Sequence, residues 1–457
     1  MNLANKIAFV LMCGCIIFTT LAYGAVHQPV IALVYIIFGT MFILWAVDGY
    51  ISGSLRVYPS LLPLPLLAAV LYGVIQTIPF GTISETGGVS GISRTISLDP
   101  FSTQTTTLHL FGLLLFLVVS MSLIDTAARL RKLVIIVTFF GFVYAFYAIL
   151  QEVLSPGKIY GIYERIGALP FGSFVNRHNF AAYMEMTMAL PLGLLFVGAI
   201  ARDKRLLYVT AIALMGIALL ISGSRGGFVA FLAEVIFLTI ITSTARSGRK
   251  FYIKIGLAVL LVTSIIAGSF FVGGENSLTR IAETPGSENV TSDRSHIWAV
   301  TFSVITDNMP LGAGLGGFGA AYTAFDNRSG LERVEQAHND YLQIAADAGI
   351  IGILLSLFFL FVLFRTGLKA VKAENTYRRG IAAGALTGCF AILIHSLFDF
   401  VLHTTAITVL FLTLITLIVA SRNSYEDDIA DPEGRKIKKK RTSSVASISS
   451  AKRKSLP

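Results

Sequence analysis

Five short polar stretches interrupt an otherwise apolar sequence. They are NRHNFAAY at 176–183, SGSRGG at 222–227, TSDRSHIW at 291–298, AHNDYLQ at 337–343 and HSLFDFVLH at 395–403. Each contains basic or titratable side chains, which are costly to take out of water and therefore rare in apolar segments unless they serve a function. These stretches are therefore the candidates for a functional site.

Three arginines in these stretches have the chemistry of an anion site. Arg225 is flanked by glycines and serines, which let the backbone approach a ligand, and the free N–H groups at a helix start favour an anion. Its planar guanidinium can hold two phosphate oxygens. Arg177 and Arg294 offer the same group, and Ser224 can support Arg225. Structural alternatives are that Arg225 extends to the membrane interface and that Arg177 pairs with Glu185.

His338 is the candidate base, because an imidazole with an ordinary pKa of about 6.5 can accept a proton near neutral pH. If a helix begins here, its period puts Tyr341 on the same face, with Asn339 alongside, and points His338 into the bundle. A lone histidine is often structural. However, no Asp-x-Asp or His/Cys cluster accompanies it, so we predict no metal. The nearby arginines favour an anionic diphosphate leaving group over ion conduction.

His395, Asp399 and His403 are spaced four residues apart and would share one face of a helix. This spacing suits metal ligands or a proton relay, but we favour hydrogen bonding between paired helices. Asp399 could still orient a group at the outer face. The sequence leaves the roles of these three residues, and of His178, open.

A glycine run, PLGAGLGGFG at 310–319, formally matches the dinucleotide pattern G-x-G-x-x-G. No βαβ unit surrounds it, so the match is a weak one. The run predicts a tight loop that returns the segment to the bundle. We predict no cofactor.

Membrane helices must position these groups, because 54% of the residues are hydrophobic and only 14% are charged, against about 25% charged in soluble domains. Apolar segments of about 20 residues, the length that crosses a bilayer, predict an all-α polytopic membrane protein with about twelve transmembrane helices. The predicted spans are 7–24, 30–47, 60–80, 105–124, 133–153, 179–200, 206–222, 227–244, 254–272, 339–364, 380–401 and 404–420.

The distribution of Lys and Arg predicts that both termini are cytoplasmic. The loops after spans four, six, eight and ten are richer in these residues than their neighbours, and such loops stay in the cytoplasm. The long loop 273–337 then lies outside, and its segment 296–308 predicts an interfacial helix anchored by Trp298. The tail 421–457 is predicted to be disordered and basic. Its basic residues account for much of the +10 net charge, which therefore requires no nucleic acid. We interpret the tail as a positive-inside anchor, with contact to anionic membrane lipids or to a cytosolic partner as the alternative.

Several of these motifs together resemble the O-antigen ligase and O-antigen polymerase superfamily of bacterial envelope proteins. The resemblance rests on SGSRGG, on DRSHIW followed by DNMPLGAGLGGFG in the large outer loop, and on AHNDYLQIAADAGIIG entering the next span. NRHNFAAY is similar to an Asn-Arg-Asn-His stretch of many members, with His and Asn exchanged. The motifs cover about 170–355, within a transmembrane domain predicted over 1–420.

The resemblance implies a GT-C-like, metal-independent and inverting glycosyltransferase in the bacterial inner membrane, with its active site facing the periplasm. The donor would be a glycan linked to undecaprenyl diphosphate, and the acceptor either lipid A core or a growing polysaccharide. Arg225 and Arg294, with Arg177, would hold the diphosphate. His338 would be the catalytic base or would position the acceptor, with Ser224, Asn339 and Tyr341 in support.

Two questions stay open at the level of sequence. These motifs do not separate a ligase from an O-antigen or exopolysaccharide polymerase, because the two differ in the acceptor. The competing class is a multi-span transporter of small anions such as bicarbonate, since twelve spans with both ends inside is also a common transporter layout. Transporters often have repeated halves, which this sequence lacks.

Overall fold

A computed structural model of the chain describes residues 2–83, 90–164, 169–243, 255–256, 259–260, 262–268, 288–328, 334–422 and 446–449. Most of these residues are helical. The helices are α1 (Leu3–Leu21), α2 (Gln28–Ser52), α3 (Pro63–Gln76), α4 (Pro100–Leu123), α5 (Ala127–Leu154), α6 (Arg177–Val197), α7 (Arg205–Ile221), α8 (Arg225–Thr242), α9 (Glu288–Asn308), α10 (Phe318–Tyr322), α11 (Asp340–Ala370), α12 (Thr376–His395) and α13 (Thr405–Ala420).

Two short antiparallel strand pairs accompany the helices. Strand β1 (Ser54–Val57) pairs with β4 (Ala446–Ser449), and β2 (Gly81–Ile83) pairs with β3 (Ile92–Arg94). Strand β4 falls within the segment 421–457 that we predict as a disordered tail. The other tail residues after Arg422 lie outside the described part of the chain.

Eight of the described helices are long and apolar enough to cross a membrane, namely α1, α2, α4, α5, α6, α7 together with the 3-10 turn before it (Arg202–Ile221), α8 and α11. The chain is therefore a multi-pass membrane protein, as predicted. The number twelve is not confirmed. Helices α3 and α13 coincide with predicted spans but have only 14 and 16 residues, α12 covers part of the predicted span 380–401, and the predicted span 254–272 lies largely outside the described residues.

Polar caps determine where the helices that carry the site begin. The side chain of Asn176 accepts from the backbone of His178 before α6, and Ser224 accepts from Gly227 before α8. Such a cap is worth about 1 kcal/mol. Asn339 accepts from the backbone N–H groups of the second and third residues of α11.

The cap at Asn339 corrects one prediction. Helix α11 begins at Asp340, so His338 precedes the helix and does not share a helical face with Tyr341. Asn339 is extended and satisfies two orphan backbone donors of the first turn, which fixes the start of the helix two residues after His338.

The predicted shared helical face of His395, Asp399 and His403 is also wrong. Helix α12 ends at His395, and His403 closes a short 3-10 turn, so Asp399 lies in the connection 396–404. Backbone groups of this connection are bound by the start of α11: Asp340 N–H donates to the carbonyl of Ser396 at 3.0 Å. This bond holds the connection against α11. If α12 had continued, the carbonyl of Ser396 would have accepted a hydrogen bond within its own helix instead.

Glycines bring the backbones of α6 and α12 into direct contact. Gly380, Gly384 and Gly388 recur every four residues along one face of α12. A Cβ at Gly384 would lie 2.4 Å from the carbonyl oxygen of Ala189, and one at Gly193 would lie 2.3 Å from the nitrogen of Gly384. Small residues at this spacing allow close helix crossing in membranes, so α6 and α12 form the centre of the bundle.

The outer helices of the bundle present apolar side chains outward. Ile36 and Ile43 on α2 and Phe139 and Phe146 on α5 are exposed, as expected for surfaces that face lipid. Helix α6, in contrast, is buried from Asn179 to Leu194. Polar groups on α6 must therefore find partners inside the protein.

The glycine run at 310–319 forms a tight loop seated on α11. Gly349 interrupts α11 with φ 56°, and a Cβ there would lie 2.1 Å from the carbonyl oxygen of Pro310. Two residues earlier, the carboxylate of Asp347 accepts from the backbone of Gly316 and Phe318, each at 3.1 Å. The outer part of α11 is thus fastened to the outer loop.

Trp298 also ties the outer loop to the site. The predicted helix 296–308 lies within α9, and the indole Nε1 of Trp298 donates to the carbonyl oxygen of Ala337 at 3.0 Å. This bond holds α9 against the residue that precedes His338.

Candidate functional site

Asp399 is the point where the outer polar stretches meet. Its side chain is only 3% exposed, and its Oδ1 lies 3.2 Å from His338 Nδ1. The other oxygen, Oδ2, lies 3.6 Å from Arg294 Nη2 and 3.9 Å from His178 Nε2. A single buried carboxylate therefore gathers side chains from α6, α9 and the segment before α11.

His338 is held so that one ring nitrogen is available. Because the carboxylate of Asp399 accepts at Nδ1, the proton of a neutral imidazole is favoured on that nitrogen, and Nε2 keeps the lone pair that can accept a proton. The ring of Phe400 meets the imidazole nearly at a right angle, with centroids 4.7 Å apart. The side chain of His338 is 34% exposed, so a substrate can reach it.

The charge of Asp399 is stabilised by its neighbours. Burial alone would raise the pKa of this carboxyl, but the hydrogen bond with His338, the nearby imidazole of His178 and the positive charge of Arg294 hold it well below its usual range. Asp399 is thus a permanent negative charge, suited to orient the imidazole and to stabilise the positive charge that His338 gains when it takes a proton.

The starts of α6 and α8 lie side by side. His178 Nδ1 and Ser224 Oγ are 2.8 Å apart, which joins the second residue of α6 to the cap of α8. Each helix begins with an arginine, Arg177 and Arg225. Two adjoining helix N-termini, each at the positive end of its helix dipole, and two guanidiniums form an environment that favours an anion.

Asn339 and Tyr341, predicted as supporting residues, hold the start of α11 against α12. Asn339 Nδ2 donates to the carbonyl oxygen of Leu397 at 3.0 Å, and the hydroxyl of Tyr341 donates to that of Leu393 at 2.8 Å. Both bonds hold in place the segment that directly follows His338.

A second polar group lies deeper in the bundle. His395 Nδ1 is 2.9 Å from Glu185 Oε1, and both side chains are completely buried. Glu234 of α8 is also completely buried. The structure therefore gives Glu185 a histidine partner, where the sequence suggested Arg177.

His403 forms a further pair, with Asp340. Its Nδ1 lies 3.0 Å from Asp340 Oδ1. Sequence reasoning left His403 open and did not consider Asp340 or Glu234 as site residues. The sequence did carry a signal for both acids: Asp340 lies at the start of a predicted span and Glu234 lies inside one. An acidic side chain in such a position is costly unless it has a partner.

No group of three or more His, Cys, Asp or Glu side chains within the described ranges is arranged to hold a metal ion. The residues offered to an anionic substrate are Arg294 and the two histidines beside Asp399, with Arg177 and Arg225 at the starts of α6 and α8.

A comparison with protein families agrees with the motifs. Residues 210–357 match the family model described as O-antigen ligase. No curated protein matches the chain. The matched segment contains Arg225, Arg294 and His338, whereas Arg177, Asp399 and His403 lie outside it. The match covers about a third of the chain and confirms the resemblance to O-antigen ligases over that segment.

Proposed function

We propose that this protein transfers a glycan from undecaprenyl diphosphate to a sugar hydroxyl at the periplasmic face of the bacterial inner membrane. It acts without a metal, as an O-antigen ligase or as an O-antigen or exopolysaccharide polymerase. The acceptor is accordingly lipid A core or a growing polysaccharide. A GT-C-like arrangement of about twelve spans, with both termini in the cytoplasm, is part of this proposal.

The observation that carries the proposal is the convergence of His338 and Arg294 on the buried carboxylate of Asp399. His338 Nε2 takes the proton of the acceptor hydroxyl while the oxygen of that hydroxyl forms a bond to the anomeric carbon of the donor sugar. The bond from that carbon to the phosphate oxygen breaks, and the electron pair leaves with the diphosphate. A single displacement of this kind inverts the anomeric centre.

The arginines complete the proposed reaction. Negative charge grows on the departing diphosphate, and fixed guanidiniums stabilise it without having to reorganise. Arg294 lies beside Asp399, and Arg225 and Arg177 begin the two helices that His178 and Ser224 join. We assign the diphosphate to this set of three arginines.

The decisive experiment supplies the purified protein with an undecaprenyl-diphosphate glycan, once alone and once with lipid A core. Chain growth without core supports the polymerase, and a product that forms only with core supports the ligase. No product under either condition contradicts the proposal and favours transport. Arg225→Ala is expected to lose at least about tenfold of the transfer rate, since charge-assisted hydrogen bonds contribute about 1.5–3 kcal/mol.

A further inference from the structure

His403 and Asp340 form a second histidine–aspartate pair beside the first. His403 Nδ1 lies 3.0 Å from Asp340 Oδ1. The other carboxylate oxygen accepts from the backbone N–H of Leu402 at 3.2 Å. The Asp340 side chain is 4% exposed, whereas that of His403 is 38% exposed. A buried carboxylate thus holds one nitrogen of a histidine that solvent can reach.

Both histidine–aspartate pairs join the same two segments of the chain. Residues 338–340, which lead into α11, supply His338 and Asp340, and the connection 396–404 supplies Asp399 and His403, so each segment gives one histidine and one acid. Phe400 contacts both imidazoles, with its centroid 4.7 Å from that of His338 and 6.3 Å from that of His403. The two histidines are therefore linked through one aromatic ring.

The chemistry of the second pair differs from that of a simple structural contact. Burial opposes a charge on His403, but the hydrogen bond to Asp340, together with the charges of Asp340 and Asp347, raises the pKa of His403 above its usual value. The protonated imidazole carries a second N–H, at Nε2, that Asp340 does not use. An N–H of this kind makes a strong hydrogen bond to an anionic oxygen.

We propose that His403 is a further substrate-binding residue of this site, which donates from Nε2 to a phosphate or carboxylate oxygen of the substrate. The inference rests on the proposed function. The anionic oxygen belongs either to the diphosphate of the donor or to an acidic group of the acceptor. The competing account is that His403 only fastens the connection 396–404 to α11.

The test compares His403→Gln with His403→Ala in the full-length purified protein. A glutamine amide can still donate to Asp340, but it carries no charge. If His403 only fastens the connection, glutamine should restore what alanine loses. If His403 binds an anion, both variants should weaken substrate binding by about tenfold or more, the usual value of a charge-assisted hydrogen bond. His27→Gln is the matched control: among the described residues its ring contacts are with Tyr23 and Tyr163, and the distribution of Lys and Arg predicts that it lies on the same outer side.

Two measurements distinguish the source of the anion. A higher inhibition constant for free undecaprenyl diphosphate, with an unchanged KM for the acceptor, assigns His403 to the donor diphosphate. A higher KM for the acceptor alone assigns it to an acidic acceptor. If the glutamine variant keeps the wild-type values of both, the inference is wrong while the proposed function stands. Wild-type protein that neither transfers glycan nor binds undecaprenyl diphosphate contradicts the proposed function, and the inference with it.

Discussion

His338 occupies an unusual backbone conformation. Its φ is 50°, in the left-handed region that residues other than glycine adopt rarely, although histidine is among those that tolerate it. The neighbouring backbone is pinned on both sides, since Ala337 N–H donates to Gln343 Oε1 and Asn339 Nδ2 donates to Leu397. Such strain, of about 1–3 kcal/mol, persists where the surroundings fix it, and it is common at functional sites.

This conformation suggests a sharp variant for testing the base. Asparagine tolerates the left-handed region as well as histidine does, and its amide can still bond to Asp399, but it cannot take a proton at neutral pH. We expect His338→Asn to keep the unfolding temperature of the wild type and to lose about 10²–10⁴-fold in transfer rate, the usual contribution of general base catalysis. A transfer rate equal to the wild type would exclude His338 as the base.

Asp399 predicts how stability depends on pH. The pKa of this carboxyl is lower in the folded protein than in the unfolded chain, so its contribution to folding is complete above the unfolded value of about 3.9 and is lost as the pH falls toward the folded value. We expect Asp399→Asn to lower the unfolding temperature at pH 7 and the difference from wild type to shrink as the pH falls below about 4. Thermal unfolding in detergent at several pH values measures this. A difference that stays constant would contradict the ion-pair account.

At the scale of the element, α6 and α12 set the geometry of the site. Helix α6 carries Arg177 and His178 at its start, and α12 leads into the connection that holds Asp399. The two helices touch through backbone at Gly384 and Gly193. A change in their separation must therefore move the arginine and the carboxylate relative to each other.

Gly384→Ala tests this dependence. The added Cβ would lie 2.4 Å from the carbonyl oxygen of Ala189, and backbone must move to relieve the contact, at a cost of about 1–3 kcal/mol. We expect a lower unfolding temperature and a higher KM for the donor. Gly39→Ala is the matched control, since a Cβ at Gly39 meets nothing within 4 Å. Equal unfolding temperatures and donor KM values for the two variants would show that the contact between α6 and α12 does not position the site.

The sequence predicts which segments are helices, but not where the helices that carry the site begin and end. Apolar segments long enough to cross a membrane are visible in the sequence, and eleven of the twelve predicted spans coincide with described helices. The sequence also contains the glycine repeat at 380, 384 and 388, which indicates close helix packing. The exact start of α11 and end of α12 could not be predicted from the sequence. They depend on bonds from Asn339 and Asp340 to the connection 396–404, which is far away in sequence.

The same limit applies to the site at the scale of the whole molecule. Arg225, Arg294 and His338 could be selected from the sequence because each is an unusual polar group near the end of an apolar segment. That Asp399 would bond to His338, 61 positions away, depends on the packing of α11 against α12. The exchange of partners, in which Glu185 pairs with His395, likewise follows from the contact of α6 with α12.

The proposed reaction requires the site to face the periplasm, and this requirement can be tested over the whole molecule. The native cysteines, Cys13, Cys15 and Cys389, are buried, so single introduced cysteines can be labelled with low background. Ser303 on α9 and Lys204 before α7 are both exposed, and the distribution of Lys and Arg places them on opposite sides.

We expect a membrane-impermeant maleimide to label Ser303→Cys in cells whose outer membrane alone is opened. Lys204→Cys should be labelled only after the inner membrane is also permeabilised, and the parent protein should stay unlabelled under both conditions. Because Arg294 and Ser303 share α9, the side on which Ser303→Cys reacts is also the side of the arginine and of Asp399. Labelling in the reverse order would put the site in the cytoplasm, where a transfer at the periplasmic face could not occur.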